Sequence, residues 1–299
     1  MTLRSLGPAS VGSRVIALAA ALELPPATTA AEAYPRALAV LQPWPDARAP
    51  NGGLRLVFAG TGEAEALFAH FLSGCELPEL EPFTAEETIA VSEAVRESVA
   101  LLEELDVEAG ATFETLVQTL LVVRAPAFGG LSDALGVVLA GPEATWSRLE
   151  IAELLWHEGV HQALFLHDLL DPLFVSEDDR LWAESARIRN PLLDVDRPFD
   201  LAFHGAAVSI ALVDLDVRAA AYRQAAALLD SALPTLEEIE RRSEFLTGHG
   251  AAIFDELRSA AEACSHAIAE PATPPSVYDD EPRSRRSFLE LQPDWQSTS

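Results

Sequence analysis

The sequence predicts a mainly α-helical fold (α+β class) with a few short strands, and three observations support this. Ala, Leu, Glu and Val dominate the composition, and three of these four residue types favour helices. Long segments place apolar residues at helical spacing, whereas runs typical of buried strands are short. The chain has 299 residues, 49% of them hydrophobic, which is enough for a sizeable core.

The first clear helices begin and end at recognisable signals. Thr84 and Glu87 form a capping box, and the apolar residues after them continue at helical spacing to Leu105. The next predicted helix spans residues 147–170. It ends before Pro172, because proline disfavours helical backbone in the residue that precedes it.

The second half of the chain predicts three more helices. We expect a long helix over residues 200–233 that Pro234 ends. A capping box at Thr235 then begins a helix that Gly248 ends. A last helix occupies residues 250–269.

Strand predictions are fewer. Residues 115–123 are β-branched and apolar, and they predict either a strand or the end of a helix. Residues 136–141 form a short apolar run between two glycines, which favours a buried strand. Residues 171–200 look irregular.

This pattern divides the chain into three regions. We expect residues 1–110 to form a helical N-terminal region that completes the fold or recognises a peptide. Residues 111–270 would form a metal-binding catalytic domain. Residues 271–299 are rich in Pro, Ser and charge, which is typical of a flexible tail.

The charge and the cysteine content exclude several functions. A formal net charge of −27 repels phosphate backbones and anionic lipids, so we expect no nucleic acid and no membrane as partners. The two cysteines, Cys75 and Cys264, are far apart, which excludes a disulfide framework and a CxxC metal site. No apolar run reaches the roughly 18 residues of a membrane span. We therefore expect a cytoplasmic protein.

The run His157-Glu158-Gly159-Val160-His161 is the clearest chemical signal in the chain. Two histidines four residues apart on a helix face the same way, one turn apart, and can bind one cation. Glu158, next to the first histidine, can reach a group bound to the metal. A buried pair of histidines without a partner would be costly, so we interpret the pair as metal ligands.

A metal bound by two histidines needs further ligands, and the sequence offers several. His204 is the preferred third ligand, because it lies near the start of the next long helix, which can pack back across the first. Asp200 and Asp214 are weaker alternatives. His167 completes an HExxHxxxxxH spacing, but Leu164 stands where the metzincin peptidases need glycine, so a surface histidine or one that supports the ligands is the better reading.

Imidazole ligands do not identify the metal, since zinc, iron, copper and nickel all accept them. Four arginines between the ligand helices give a further indication, because arginine pairs with carboxylates through two hydrogen bonds. One of them could hold the carboxylate of a 2-oxo acid, or they could pair with acidic residues of the protein itself. They are Arg180, Arg187, Arg189 and Arg197.

With these features the sequence resembles the HExxH-type, 2-oxoglutarate- and Fe(II)-dependent β-hydroxylases, which modify ribosomally made peptides. The resemblance covers about residues 115–260. It rests on the Leu154–His161 run, on Arg197-Pro198, on Phe203–Ala206 at the start of a helix, and on Leu246–Gly250 before the last helix.

The resemblance implies a zincin-like HExxH helix packed on further long helices, and not a cupin barrel. It implies Fe(II) bound by His157, His161 and His204, and 2-oxoglutarate held by Arg197 or, second, by Arg189. The substrate would be a peptide that is hydroxylated at a β-carbon, with Glu158 orienting a ligand or a proton.

A second function stays open on the residues alone. In a zinc metallopeptidase of the gluzincin type, Glu158 would act as the general base on a zinc-bound water. Such enzymes present a glutamate as third ligand, and the candidates here, Glu184 and the aspartates near His204, do not fit an ExxxD pattern. A scaffold that only binds a partner is a third possibility, which the intact motif disfavours.

Overall fold

The structure is a computed structural model of the chain. It describes residues 3–42, 54–71, 81–124, 127–130, 134–142, 146–175, 178–192, 195–280 and 289–290. None of the described helices is both long and apolar enough to cross a membrane.

Helices dominate the described residues, which confirms the mainly α-helical prediction. They are α1 (Pro8–Ala21), α2 (Ala30–Leu41), α3 (Gly62–Phe71), α4 (Ala85–Leu105), α5 (Val107–Leu116), α6 (Arg148–Leu170), α7 (Asp178–Leu181), α8 (Phe199–Arg218), α9 (Tyr222–Arg241) and α10 (Gly248–Ala269). Short 3₁₀ helices occupy Arg4–Leu6, Glu184–Ala186, Ser243–Phe245 and Val277–Asp279.

The strands of the described part form an open sheet and a hairpin, with no closed barrel. They are β1 (Arg55–Phe58), β2 (Thr119–Val122), β3 (Ala127–Gly130), β4 (Val137–Ala140), β5 (Ile188–Asn190), β6 (Val195–Arg197) and β7 (Leu289–Glu290). The sheet order is β1-β2-β4-β3-β7, and only the β3–β4 pair is antiparallel. β5 and β6 form the separate antiparallel hairpin.

One hydrophobic cluster joins the N-terminal helices to the histidine-bearing helices. It runs from Leu3 in the first turn to Cys264 in α10, and Phe113 and Phe203 are among its fully buried side chains. α1 packs on both α5 and α6, α4 packs on α6, and α6 packs on α8. The N-terminal region therefore contributes directly to the core around α6.

Several predicted boundaries are confirmed. Thr84 accepts a hydrogen bond from the Glu87 N–H, and the Glu87 carboxylate accepts one from the Thr84 N–H, so the capping box begins α4. The predicted strand over 136–141 is β4, buried throughout. Residues 115–123 contain both alternatives, since α5 ends at Leu116 and β2 follows.

The helix predicted over residues 200–233 is wrong, because the chain turns between α8 and α9. Ala220 has a positive φ of 54°, and its carbonyl accepts a hydrogen bond from the Ser276 N–H. Pro234 does not end a helix but lies inside α9, whose buried face continues past it to Leu236 and Ile239. Packing of that face against α8 outweighs the lost backbone bond.

Two other helix signals act differently from the prediction. Thr235 caps no helix, and its hydroxyl donates to the Arg189 carbonyl, which ties α9 to β5. Gly248 begins α10 instead of ending a helix, and Thr247 is the N-cap that accepts from the Gly250 N–H. The region 171–200, expected to be irregular, contains α7 and the β5–β6 hairpin.

Candidate metal centre

Helix α6 carries the HExxH run and is fixed at its start by a second capping box. The Ser147 hydroxyl accepts from the Glu150 N–H, and the Glu150 carboxylate accepts from the Ser147 N–H at 2.8 Å. The helix continues without a break to Leu170, as the sequence predicts. His157 and His161 therefore lie one turn apart on one face.

The glycine inside the motif allows close packing behind the histidines. A Cβ placed at Gly159 would lie 3.1 Å from the Trp156 ring and 3.4 Å from Phe113 of α5. Gly159 thus lets α5 approach the helix at the level of the motif. Because the packing is close, the two histidine backbones are held firmly.

The Nε2 atoms of the two motif histidines lie close together. Nε2 of His157 and Nε2 of His161 lie 3.1 Å apart. With metal–nitrogen distances near 2.1 Å, neighbouring ligand nitrogens of one ion lie about 3.0–3.4 Å apart. The pair therefore has the spacing of two ligands of a single cation. The Glu158 carboxylate lies 3.8 Å from His157 Nε2 and is buried.

Helix α8 brings His204 to the same place. Its Nδ1 lies 3.2 Å from Nδ1 of His161, and the two rings are stacked with their centroids 5.4 Å apart. Phe165, one turn after His161, stacks on the His161 ring and lies against His204. The structure thus brings together all three histidines that the sequence singled out.

The three nitrogens do not yet converge on one point. His161 faces His157 through Nε2 and His204 through Nδ1, which lie on different sides of the ring. Over the described residues, no group of three or more His, Cys, Asp or Glu side chains has the arrangement of a metal site. A single ion held by all three would require His161 to turn so that one nitrogen serves both neighbours.

Burial keeps these imidazoles neutral. It lowers the pKa of His157 and of His204 well below the ordinary value, and the neighbouring His161 lowers both further. Burial lowers the pKa of His161 to about 4. Neutral imidazoles keep the lone pair that a metal needs, so the donor set suits a divalent ion of the zinc or iron type.

The arginines between the ligand helices mostly contact the protein itself. Arg180 lies over the Phe245 ring, and Arg187 donates to the Asp196 carbonyl. Arg189 is half-exposed and lies 3.6 Å from the Asp196 carboxylate, its cross-strand neighbour. Arg197 ends β6, two residues before α8 begins, and is partly buried.

His167 lies apart from the other histidines of its helix. It is buried, not at the surface, and its Nε2 donates to the Ser5 carbonyl at 2.8 Å. Its Nδ1 lies 2.9 Å from Nε2 of His249, which also meets the Arg14 guanidinium at 2.9 Å. His249 therefore joins α1, α6 and α10. His266 is exposed near Glu270.

Of the remaining candidate ligands, Asp214 and Glu184 make no contact with the three histidines among the described interactions. Asp214 forms an ion pair with Arg218 one turn further along α8. Glu184 is exposed on a 3₁₀ helix. Asp200 lies in the first turn of α8, one turn before His204.

Sequence reasoning missed three residues around the centre. Phe165 covers two histidine rings, and its i+4 spacing from His161 was the available signal. Gln162 accepts from the Gly136 N–H at 2.7 Å, which fixes α6 against the turn before β4. Asn190 of β5 packs against Gly205, where any Cβ would overlap its amide. The last two depend on contacts between distant segments, for which the sequence has no signal.

Comparison of the chain with protein-family models and with curated proteins finds no match.

Proposed function

We propose that the protein is an Fe(II)- and 2-oxoglutarate-dependent oxygenase that hydroxylates a β-carbon in a ribosomally made peptide. The observation that carries the proposal is the meeting of three neutral imidazoles, two from one turn of α6 and one from α8, of which His157 and His204 are buried and His161 is partly buried. His157, His161 and His204 would hold the metal. Bound iron and 2-oxoglutarate would supply the activation of dioxygen.

The third histidine favours an oxygenase over a gluzincin peptidase. A gluzincin needs a glutamate where His204 lies, and the candidate Glu184 is exposed on a separate 3₁₀ helix. His204 is buried against His161 instead. A zinc peptidase with Glu158 as general base remains the second candidate, because Glu158 lies beside the metal-facing nitrogen of His157.

The surrounding residues have separate tasks in this proposal. Glu158, buried next to His157, would orient a ligand or hold a proton at the metal. Arg197 would bind the distal carboxylate of 2-oxoglutarate, since it ends the strand that leads directly into α8. Arg189 is the weaker choice, because Asp196 already neutralises it at the surface. Phe165 would limit the access of water to the metal.

We further propose that the histidine-bearing part of the fold is zincin-like, with α6 as its motif helix. In support, α6 packs on strand β3 of the sheet and on the following long helix α8. The partly parallel open sheet is also consistent with this architecture.

A succinate assay tests the proposal. The purified chain with Fe(II), 2-oxoglutarate and dioxygen should release succinate slowly without a peptide, and His204→Ala should abolish the release. His266→Ala, at an exposed histidine, is the matched control and should leave the rate unchanged. Arg197→Ala should raise the KM for 2-oxoglutarate more than tenfold, the loss expected for one bidentate pair.

The peptidase alternative gives the opposite pattern. Cleavage of a peptide library that needs zinc, does not need 2-oxoglutarate and disappears in Glu158→Gln would overturn the oxygenase proposal. Succinate release that persists in Glu158→Gln would instead show that the oxygenase reaction does not need this carboxylate.

A further inference from the structure

Strand β5 of the hairpin is held between helices α8 and α9 and packs on both of them. On the α9 side, the Thr235 hydroxyl donates to the Arg189 carbonyl at 2.7 Å. The Ser231 hydroxyl donates to the Pro191 carbonyl, also at 2.7 Å. These two carbonyls flank Asn190, so α9 fixes the backbone of β5 on both sides of this residue.

The side chain of Asn190 lies against α8. It is 1% exposed, and its Oδ1 accepts a hydrogen bond from the Leu192 N–H at 2.9 Å, which fixes the orientation of the amide. A Cβ placed at Gly205 would overlap Nδ2 of Asn190 and would lie 3.0 Å from its Cγ. The amide therefore touches α8 at a position where only glycine leaves room for it.

This contact lies next to a candidate metal ligand, because Gly205 directly follows His204 along α8. His204 Nδ1 lies 3.2 Å from Nδ1 of His161 on α6. Distances between a metal and its ligands tolerate deviations of only about 0.2 Å. A displacement of about 1 Å at this turn of α8 exceeds that tolerance several-fold, so the position of His204 depends on what supports the backbone beside it.

We propose that Asn190 is a positioning residue of the metal centre. Its amide acts as a spacer between β5 and the backbone at Gly205, and it holds the first two turns of α8 where His204 faces His161. Residues that support metal ligands in this way typically change metal affinity when they are substituted. The inference rests on the proposed function, because it concerns the metal centre on which that function depends.

Two substitutions disturb the contact from opposite sides. Gly205→Ala places a methyl group over the Asn190 amide, and the two must separate by about 1 Å to reach an ordinary contact. Asn190→Ala removes the amide and leaves the start of α8 without this support. Gly205→Ala should weaken the binding of Co(II) about a hundredfold and Asn190→Ala about tenfold. Anaerobic titration of the metal-free, full-length chain against a fluorescent chelator measures the Kd.

The double variant Asn190→Ala/Gly205→Ala tests the contact itself. Without the amide, the added methyl group at position 205 has room, and the two methyl groups restore part of the contact. The double variant should therefore bind Co(II) at least about tenfold more tightly than Gly205→Ala, whereas independent effects would multiply. The visible absorption of bound Co(II) should follow the same order, since it depends on the ligands and their geometry.

Two control variants separate positioning from a general loss of stability. Thr112→Val removes a buried hydrogen bond to the Leu6 carbonyl, 3.0 Å long, and should lower the thermal midpoint while Co(II) affinity stays the same. Gly12→Ala, inside α1, places its Cβ at an ordinary 3.7 Å from the Ala30 Cβ. It should not weaken Co(II) binding.

The outcomes separate this inference from the proposed function. An Asn190→Ala variant that binds Co(II) as tightly as the wild type would overturn the positioning role, even where succinate release depends on His204. A double variant that binds no more tightly than Gly205→Ala would do the same. If Gly205→Ala does not fold, Asn190→Ala, which only removes atoms, decides alone. Weaker Co(II) binding by Asn190→Ala in a chain that never releases succinate would refute only the oxygenase proposal.

Discussion

Two glycines in the first turn of α10 give opposite expectations for the same substitution. A Cβ at Gly250 would overlap the backbone carbonyl of Leu173, whereas no described atom lies within 4 Å of a Cβ at Gly248. Neither glycine has a positive φ, so strain of the backbone conformation does not distinguish them. Gly250→Ala and Gly248→Ala therefore isolate the contact between α10 and Leu173.

The contacts near Gly250 set the size of the effect. To make room, α10 must move away from residues 172–173, where the Thr247 N–H donates to Leu173 O at 3.0 Å and the Thr247 hydroxyl donates to Pro172 O at 2.6 Å. Each bond contributes about 1 kcal/mol, and overpacking adds about 1–3 kcal/mol. The higher helix propensity of alanine stabilises α10 by about 0.5–1 kcal/mol relative to glycine. We expect Gly250→Ala to lower the free energy of unfolding by about 3 kcal/mol.

Urea unfolding followed by far-ultraviolet circular dichroism measures both variants. Gly248→Ala should equal or exceed the wild type by about 0.5 kcal/mol, because only the propensity gain applies. The midpoint of Gly250→Ala should fall with an unchanged denaturant slope. Two variants of equal stability would show that α10 does not pack on Leu173 as described, and the reasoning would fail.

Three further predictions test contacts of helix α6. Burial lowers the pKa of His167 from 6.5 to about 4, so as the pH falls the unfolded chain is protonated at this histidine before the folded chain is. The free energy of unfolding should therefore fall by up to about 3 kcal/mol between pH 6.5 and pH 4. His167→Asn should flatten that slope, and an acid titration unchanged by the substitution would contradict the role of His167. Ser147→Ala removes the N-cap of α6 and should cost about 1 kcal/mol in thermal unfolding, whereas Ser13→Ala, at an exposed serine, should cost close to nothing. Gln162→Met leaves the buried Gly136 N–H without its acceptor and should cost about 1–3 kcal/mol by denaturant titration; a neutral result would mean that water or another group replaces the amide.

Local signals predicted the elements that carry the centre. The capping box at Thr84, the helix over 147–170 and the strand after Gly136 all follow from short-range patterns, and the structure has them. The spacing of His157 and His161 predicted two side chains on one face, because helix geometry alone determines it. His204 was a harder prediction, since its position depends on how α8 packs across α6.

The errors occur where tertiary contacts outweigh local preference. Ala219–Ala221 interrupt the helix predicted over 200–233, although alanine is the best helix former, because the Ala220 carbonyl meets the Ser276 N–H from the end of the chain. Pro234 stays inside α9 because Ala232, Leu236 and Ile239 continue one buried face. The His167–His249 pair was invisible in the sequence, because the two residues are 82 positions apart.

Metal analysis of anaerobically purified protein tests the central claim most directly. The wild type and His266→Ala should each hold one divalent ion per chain, identified as iron, and His157→Ala, His161→Ala and His204→Ala should each lose it while remaining folded by circular dichroism. A wild-type chain that binds no divalent ion when supplied with iron or zinc, or a His204→Ala variant with undiminished binding, would contradict a metal centre built from these three imidazoles.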